Sequence, residues 1–333
     1  MPLNSPRTSL LSLLTATMLA VPAAAQEPAA SSPAAEQRLV IPPPPPPGSA
    51  SSPGEFDPRA DLAYGAYQRG YYLTAFDLAL KRARNGDPAA QTLIAELYDK
   101  GLGIGKDPGE AAAWYGLAAA KDYPEAQFAY ALKLLQGKVV ARDDARARVL
   151  LQSAAKAGHP TAMFNLAQMI LAEKAGPDGF REALQWYRGA AEAGVSDAQY
   201  AMSQIQGEGL GVPVDLAAAR QWLEMAARGG FDTAQVELGI WLANGKGGPQ
   251  DEEAAFGWMS RAAGAGNVIA QNRLAKMLAL GIGTKSDEVE AGKWHFLASR
   301  AGLGDPWLDE FVSRMDEGQR RLAQQKAERW PSG

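Results

Sequence analysis

The repeat period of this chain constrains its fold more than any other feature of the sequence. Alanine recurs every 36 residues in three separate columns, with no insertion between units. The columns are Ala90, Ala126, Ala162, Ala198, Ala234 and Ala270; Ala111, Ala147, Ala183, Ala219, Ala255 and Ala291; and Ala118, Ala154, Ala190, Ala226, Ala262 and Ala298. A fixed period of this length is the signature of a solenoid, whose units pack against their neighbours. The pattern therefore predicts an architecture that presents surfaces and seldom performs chemistry.

Each unit is expected to form two α-helices. In the unit at 196–230, apolar residues follow a helical spacing until Gly209, which suits a helix C-terminus. The second helix is expected to begin after Asp215, and the matching aspartates of other units are also acceptable N-caps. For the first helix, Ser196 or Asp197 is the predicted N-cap.

A column of large side chains accompanies the alanines of the second helix. Small residues let helices approach closely, and large rings can then fill the gaps between successive helix pairs. We therefore predict that this column belongs to the core rather than to a carbohydrate-binding platform. Its members are Trp114, Leu150, Trp186, Trp222, Trp258 and Trp294.

The solenoid is predicted to extend over residues 57–303 as about seven helical hairpins. A degenerate first hairpin is expected before the regular repeats, and a C-terminal capping helix is expected within 304–333. The apolar side chains predicted to cover the last repeat are Leu308, Phe311, Val312, Met315 and Leu322.

Residues 1–25 have the features of a secretory signal peptide. Arg7 precedes a mainly apolar stretch, and the small residues Ala23 to Ala25 follow it. The stretch is short for a membrane span, so cleavage is favoured over retention as an anchor. The mature protein is thus expected to be periplasmic, with no stable membrane span.

Residues 26–56 are predicted to be a disordered proline-rich linker. Pro42 to Pro47 are consecutive prolines, which favour the polyproline II conformation. A spacer between the signal and the folded body is the favoured role, and a ligand for a proline-binding module is the alternative.

The repeat motif resembles that of the Sel1-like repeats, relatives of the tetratricopeptide repeats. The resemblance rests on three motifs of the repeat unit: A-Q-x-x-L, then G-x-G, then A-x-x-W-Y/L-x-x-A-A-x-x-G. Residues 183–194, ALQWYRGAAEAG, are an example of the last motif. The resemblance implies an all-α, right-handed superhelix with first helices on its concave face, and adaptor roles in protein–protein interaction, often in the bacterial envelope. Some secreted members carry disulfides and have been linked to β-lactam binding, but this chain has no cysteine. The third unit departs from the pattern, with Glu173 and Ala175 in place of the loop glycines.

The candidate partner-binding residues are positions where the frame persists while the residue type varies. Three columns of the first helix meet this description, and their i, i+3, i+7 spacing places them on one face. If first helices line a groove, these residues form its floor. The candidates, here called the first-helix stripe, are Leu93, Glu96, Leu132, Asn165, Gln168, Gln204, Glu237, Ile240, Arg273 and Lys276.

Motifs for chemistry are not found. His159 is interpreted as a turn residue and His295 as a packing residue, since neither has an evident catalytic partner in sequence. The acidic run at 251–253 is interpreted as helix capping rather than as a metal site. Arg142, Arg146 and Arg148 are interpreted as a solvated face, with contact to an acidic partner as the alternative. No catalytic residue, metal or cofactor is predicted.

The favoured function is a non-enzymatic scaffold of the bacterial cell envelope that binds a protein or an extended peptide. The net charge of −4 gives no indication of a nucleic-acid partner, and a monomer is expected. One alternative is an envelope enzyme, or a protein that binds β-lactams or peptidoglycan. A second alternative is a glycan-binding solenoid that uses Tyr200 and Trp241, although both rings are expected to pack inside the hairpin.

Overall fold

The structure, a computed structural model, describes residues 61–330, which form sixteen α-helices and no strand. The predicted signal (1–25) and the predicted linker (26–56) lie outside the described residues. Within the described part, the chain divides into two compact units between Lys121 and Asp122.

The helices of each unit pack consecutively as hairpins. Residues 61–121 form two hairpins: α1 (Leu62–Gln68) with α2 (Tyr72–Arg84), and α3 (Pro88–Lys100) with α4 (Pro108–Ala119). Residues 122–330 form five more: α5 (Pro124–Gln136) with α6 (Asp144–Lys156), α7 (Pro160–Glu173) with α8 (Pro177–Glu192), α9 (Ser196–Glu208) with α10 (Leu216–Arg228), α11 (Asp232–Asn244) with α12 (Glu252–Gly264), and α13 (Val268–Leu280) with α14 (Glu288–Arg300). The predicted seven hairpins are confirmed.

The alanine columns lie at the centre of the helix packing. Every alanine in the two second-helix columns is 0% exposed, and those of the first-helix column are at most 2% exposed. A closely packed interior has no space for an added side chain without displacing its neighbours. The strict 36-residue spacing is therefore a packing requirement of each successive hairpin.

The large-residue column contributes to the core from its edge. Trp186 and Trp222 pack against one buried cluster, and Trp258 packs against the next, but all three remain partly accessible. The following position in the repeat is the deeper one, since Tyr187 and Leu223 are 0% exposed. The core role is thus confirmed for the column, with the deepest burial one residue later.

Helix capping follows the prediction for the second helices but not for α9, the first helix of the unit at 196–230. Asp107, Asp143, Asp215, Asp251 and Asp287 each accept a backbone N–H from the first turn of a second helix. The predicted N-caps Ser196 and Asp197 are wrong, because α9 already begins at Ser196 and Val195 is its N-cap. Apolar packing at this position replaces a hydrogen-bonding side chain.

At several junctions, a buried glutamine connects a second helix to the first helix of the next hairpin. The Nε2 atoms of Gln199 and Gln235 donate to the backbone carbonyls of Ala191 and Ala227, at 3.1 and 3.2 Å. Carbonyls in the last turn of a helix lack intrahelical partners. Each of these carbonyls also accepts a backbone N–H from the turn that follows it, so the glutamine adds a second hydrogen bond that joins consecutive hairpins.

The C-terminal segment forms two capping helices rather than the predicted one: α15 (Pro306–Arg314) and α16 (Glu317–Glu328). Leu308, Val312 and Met315 are buried as expected. Leu322 is 46% exposed, so its predicted covering role is wrong. The opposite side of α16 packs on α14 through small residues, which allows a closer approach than leucine does.

A lysine between two tryptophans holds the C-terminal cap in place. The Nζ atom of Lys293 on α14 lies 4.1 Å from the ring centroid of Trp294 and 4.4 Å from that of Trp330. Glu290 pairs with Lys293 at 2.9 Å and with Lys326 of α16 at 2.7 Å. A desolvated cation–π contact contributes about 2 kcal/mol, so this cluster stabilises the docking of α16.

We predict that Ala226→Leu lowers the free energy of unfolding by about 1–3 kcal/mol, because overpacking displaces neighbouring helices. Urea denaturation followed by circular dichroism measures this change. Ala217→Leu, at an exposed position of the same helix, is the matched control and should leave the transition nearly unchanged. Equal effects of the two substitutions would contradict the close-packing argument.

We predict that Trp330→Ala accelerates amide hydrogen exchange throughout α16, because the ring over Lys293 is lost. Mass spectrometry of peptides from α16 and from α7 measures the effect and its locality. Leu322→Ala, at an exposed position of α16, should leave these rates close to those of the wild type. Unchanged exchange in the Trp330 variant would show that the cluster does not hold the cap.

Candidate functional site

In residues 61–121, the first-helix stripe consists of Leu93 and Glu96 on α3. Leu93 is buried, whereas Glu96 is half-buried. Glu96 accepts a 2.6 Å hydrogen bond from the hydroxyl of Tyr67 and pairs with Lys100 at 2.5 Å. Burial, together with this bond to Glu96, raises the pKa of the Tyr67 hydroxyl. Glu96 therefore links two hairpins in addition to being a candidate for partner contact.

In residues 122–330, the stripe extends over the first helices α5, α7, α9, α11 and α13. Gln168 and Ile240 are buried, so they offer little surface to a partner. The remaining members are half-buried: Leu132, Asn165, Gln204, Glu237, Arg273 and Lys276. The stripe is thus a set of chemically different, partly accessible side chains.

Glu237 joins the neighbouring helices α9 and α11. Its Oε2 atom accepts hydrogen bonds from the Tyr200 hydroxyl and from Gln204 Nε2, both at 3.0 Å. Burial, followed by the charge of Glu237, raises the pKa of Tyr200, so its hydroxyl stays protonated and donates. A ligand that contacts Gln204 or Glu237 must share or replace these bonds.

Asp305 makes a similar connection at the C-terminal end of the stripe. Its Oδ2 atom pairs with Lys276 Nζ at 2.5 Å and accepts from Asn272 Nδ2 at 3.1 Å. Burial alone raises the pKa of the Asp305 carboxyl, but the hydrogen bonds from Lys276 and Asn272 outweigh it and lower the pKa. The charge of Lys276 is therefore largely neutralised within the protein.

Gln168 differs from the other amide side chains of the stripe. Its Nε2 atom is buried and has no hydrogen-bond partner within residues 61–330. Asn165, one helical turn earlier, donates to the Thr161 carbonyl of its own helix at 2.8 Å. A buried donor without a partner is costly, and its burial separates it from a ligand at the surface.

The charged clusters noted in the sequence are internally paired. Arg142 contacts Asp144 at 2.8 Å, and Arg148 forms an ion pair with Glu173. Arg146 lies 5.2 Å from the ring centroid of Tyr130. These interactions favour the solvated-face interpretation over a free basic patch.

The two rings named in the glycan alternative are buried. Tyr200 is 9% exposed and Trp241 is 3% exposed. Lys246 Nζ also lies 3.8 Å from the ring centroid of Trp241. These two rings therefore do not form an exposed stacking surface for a sugar.

Both histidines have partners that the sequence does not reveal. His295 is buried, and its Nε2 atom lies 2.9 Å from Asp309 Oδ1. His159 is more than a turn residue, since it caps α7 by accepting the Ala162 N–H at Nδ1. Its ring also stacks on Phe128 at a centroid distance of 4.7 Å. Burial lowers the pKa of His159, which favours the neutral form required for capping.

The sequence did not predict the hydrogen bonds that join neighbouring first helices across the stripe. Tyr200 and Glu237 are 37 residues apart, and Gln204 and Glu237 are 33 residues apart. Complementary polar residues that are separated by about one 36-residue repeat are the signal that could have revealed these hydrogen bonds. Within the described residues, no group of three or more histidines or acids is arranged to hold a metal ion.

Comparisons with known proteins agree with the repeat assignment. The Sel1 repeat model matches residues 88–123, 124–159, 160–195, 196–231, 233–267 and 268–303. A search of curated proteins finds no significant match. In residues 61–330, no helix has the length and apolar character needed to cross a membrane.

Solved structures that resemble this chain include the following two. A Sel1 repeat protein from Oxalobacter formigenes is 30% identical, with a TM-score of 0.60, over 71% of this chain and 94% of that one. A protective antigen present in uropathogenic Escherichia coli strains, displaying an SLR fold, is 25% identical, with a TM-score of 0.51. That match covers 78% of this chain but only 64% of the antigen.

We predict that His159→Asn reduces the loss of stability on acidification. The lowered pKa means that the unfolded chain binds a proton more readily than the folded one. The contribution of wild-type His159 is thus complete above about pH 6.5, its unfolded pKa, and is lost as the pH falls through the folded pKa.

Thermal melting at pH 7.5 and pH 5.5 tests this prediction. Asparagine retains the cap, as Asn267 does at the equivalent position by accepting the Ala270 N–H at 3.0 Å. The difference between the two melting temperatures should therefore be smaller in the variant. An identical difference in both proteins would rule out His159 as a source of the pH dependence.

Proposed function

Because the chain belongs to the Sel1 repeat family, whose members generally mediate protein–protein interactions, we propose that it is a non-enzymatic scaffold of the bacterial envelope. Its first-helix stripe in residues 122–330 binds an extended segment of a protein partner. The observation that carries the proposal is the succession of half-buried, chemically different side chains on consecutive first helices.

The chemistry of the stripe supports a peptide as its ligand. Leu132 at one end provides an apolar contact, and Asn165 with Gln168 provides neutral amide groups on the next first helix. An amide side chain can donate to a carbonyl and accept from an N–H group, so it can pair with a peptide backbone. Asn165 is the more accessible of the two amides, whereas Gln168 is buried and lies beneath the surface.

The envelope location rests on the sequence of residues 1–25. A short apolar stretch after Arg7, followed by Ala23 to Ala25, is typical of an export signal. We therefore propose a periplasmic, monomeric mature protein. Cell fractionation with N-terminal sequencing tests the location and the cleavage, and sedimentation tests the oligomeric state. Recovery of the full precursor from purified periplasm would contradict cleavage.

We predict that the double substitution Asn165→Ala and Gln168→Ala weakens capture of the specific partner by about 10-fold or more, the range for loss of central interface contacts. The measurement is affinity capture from envelope extract with the full chain, followed by quantitative mass spectrometry. Glu237 is left intact, because its removal would also break the link between α9 and α11.

The matched control is the double substitution Gln185→Ala and Gln221→Ala. These amides lie at exposed positions of the second helices α8 and α10. The control should retain every specific partner. Undiminished capture by the stripe variant would refute the groove, and equal losses in both variants would place the interface elsewhere.

A further inference from the structure

A cleft between the start of α14 and helix α15 lies outside the first-helix stripe. Its volume is about 270 Å³, and its lining consists of Glu288, Trp307, Glu310, Phe311, Arg314 and Met315. We call it the cap cleft. It combines exposed aromatic and acidic groups, and no step of the proposed groove function uses it.

Trp307 makes the cap cleft unusual within this protein. All eight tryptophans of the chain lie in the described residues. Only Trp307 is exposed, with 41% of its surface accessible to solvent. Its ring is nearly parallel to that of Phe311, with an interplanar angle of 8° and a centroid distance of 5.9 Å. The two side chains are one helical turn apart on α15, so they form a fixed aromatic wall.

The charge around this wall is negative. Glu288 is exposed and has no ion-pair partner within residues 61–330. Glu310 forms an ion pair with Arg314, which neutralises the one cation of the lining. An aromatic face next to an unpaired carboxylate attracts a cationic side chain through both the ring quadrupole and the charge.

The same chain provides an occupied example of this chemistry. At the C-terminal cap, Lys293 lies on the rings of Trp294 and Trp330 and pairs with Glu290. Several other rings also carry a cation of the chain, among them Trp241 with Lys246. No such cation lies over the ring of Trp307 in the described residues, so its face is available to another molecule.

We propose that the cap cleft binds a basic side chain of a partner protein, with arginine preferred over lysine. The planar guanidinium can stack on the Trp307 indole while it donates two hydrogen bonds to the Glu288 carboxylate. This second contact point is independent of the first-helix stripe. A partner engaged at both surfaces would gain avidity from their linkage.

The test follows the indole N–H signals of ¹⁵N-tryptophan-labelled full-length protein by NMR. The Trp307 signal is assigned by its absence in Trp307→Phe. The probe is Nα-acetylarginine amide at millimolar concentrations, Nα-acetyllysine amide is the second cation, and Nα-acetylglutamine amide is the neutral comparison. We expect a saturable shift at Trp307 with the arginine probe, a weaker response to the lysine analogue, and none with the glutamine analogue.

Two further variants distinguish arginine binding in the cap cleft from nonspecific attraction to the acidic surface. Glu288→Gln should weaken arginine binding by about 3-fold to 10-fold, in the range of a partly exposed ionic contact. Glu317→Gln removes an exposed acid of α16 that faces Arg321 at 3.6 Å, and it should leave binding unchanged. Raising the salt concentration to 0.5 M should also weaken binding, because exposed charges are screened.

Several outcomes would overturn the proposal. These are the lack of a saturable shift at Trp307, equal shifts with the arginine and glutamine probes, and undiminished binding by the Glu288 variant. Self-association that Trp307→Ala abolishes would assign the cleft to a second copy of the chain instead. Because Asn165 and Gln168 do not contribute to the cleft, failure here leaves the groove proposal intact, and the reverse also holds.

Discussion

The close contact between alanine columns is the constraint on which the rest of the structure depends. Each hairpin buries its alanines almost completely, so helix spacing is set by methyl groups. At this spacing, a single added residue within a repeat would rotate a helix and move the buried face away from its neighbour. The 36-residue period, the aspartate caps and the loop glycines all serve to return each helix to the same register.

The sequence alone allowed the helical pairs and the core to be predicted, because both depend on short-range, repeated signals. The alanine columns, the loop glycines and Asp215 with its equivalents each specify a local conformation. The N-cap of α9 was mispredicted because Val195 contributes packing rather than a hydrogen bond, and propensity cannot distinguish the two. The second capping helix was missed since it lies beyond the periodic part of the chain.

The candidate surfaces were less predictable than the fold. Spacing identified the stripe, but not that Glu237 is bonded to the preceding repeat and Lys276 to Asp305 at the start of the C-terminal cap. Such contacts depend on side-chain conformations across repeats, which a residue column does not encode. The exposure of Trp307 likewise depends on how α15 packs against α14. A tryptophan in sequence is equally compatible with the buried environment of Trp241.

The polar ties give the stripe a dual role. Residues that link first helices are also those that a bound peptide would contact, so binding and the spacing of repeats are physically connected. A ligand that competes for Glu237 must compensate for the bonds from Tyr200 and Gln204. Leu132 is partly accessible and free of such ties, which makes that end of the stripe the easier place for a ligand to begin.

The glutamine that fastens consecutive hairpins has one notable substitution. At the equivalent position of α7 the residue is Met163, which cannot donate to the carbonyl of Ala155 at the end of α6. In an array held together by nearest-neighbour interfaces, the weakest junction determines where cooperativity breaks. The α6–α7 junction therefore lacks the amide hydrogen bond that helps to couple the later hairpins, so α6 and α7 depend on apolar packing alone for the coupling that this position provides elsewhere.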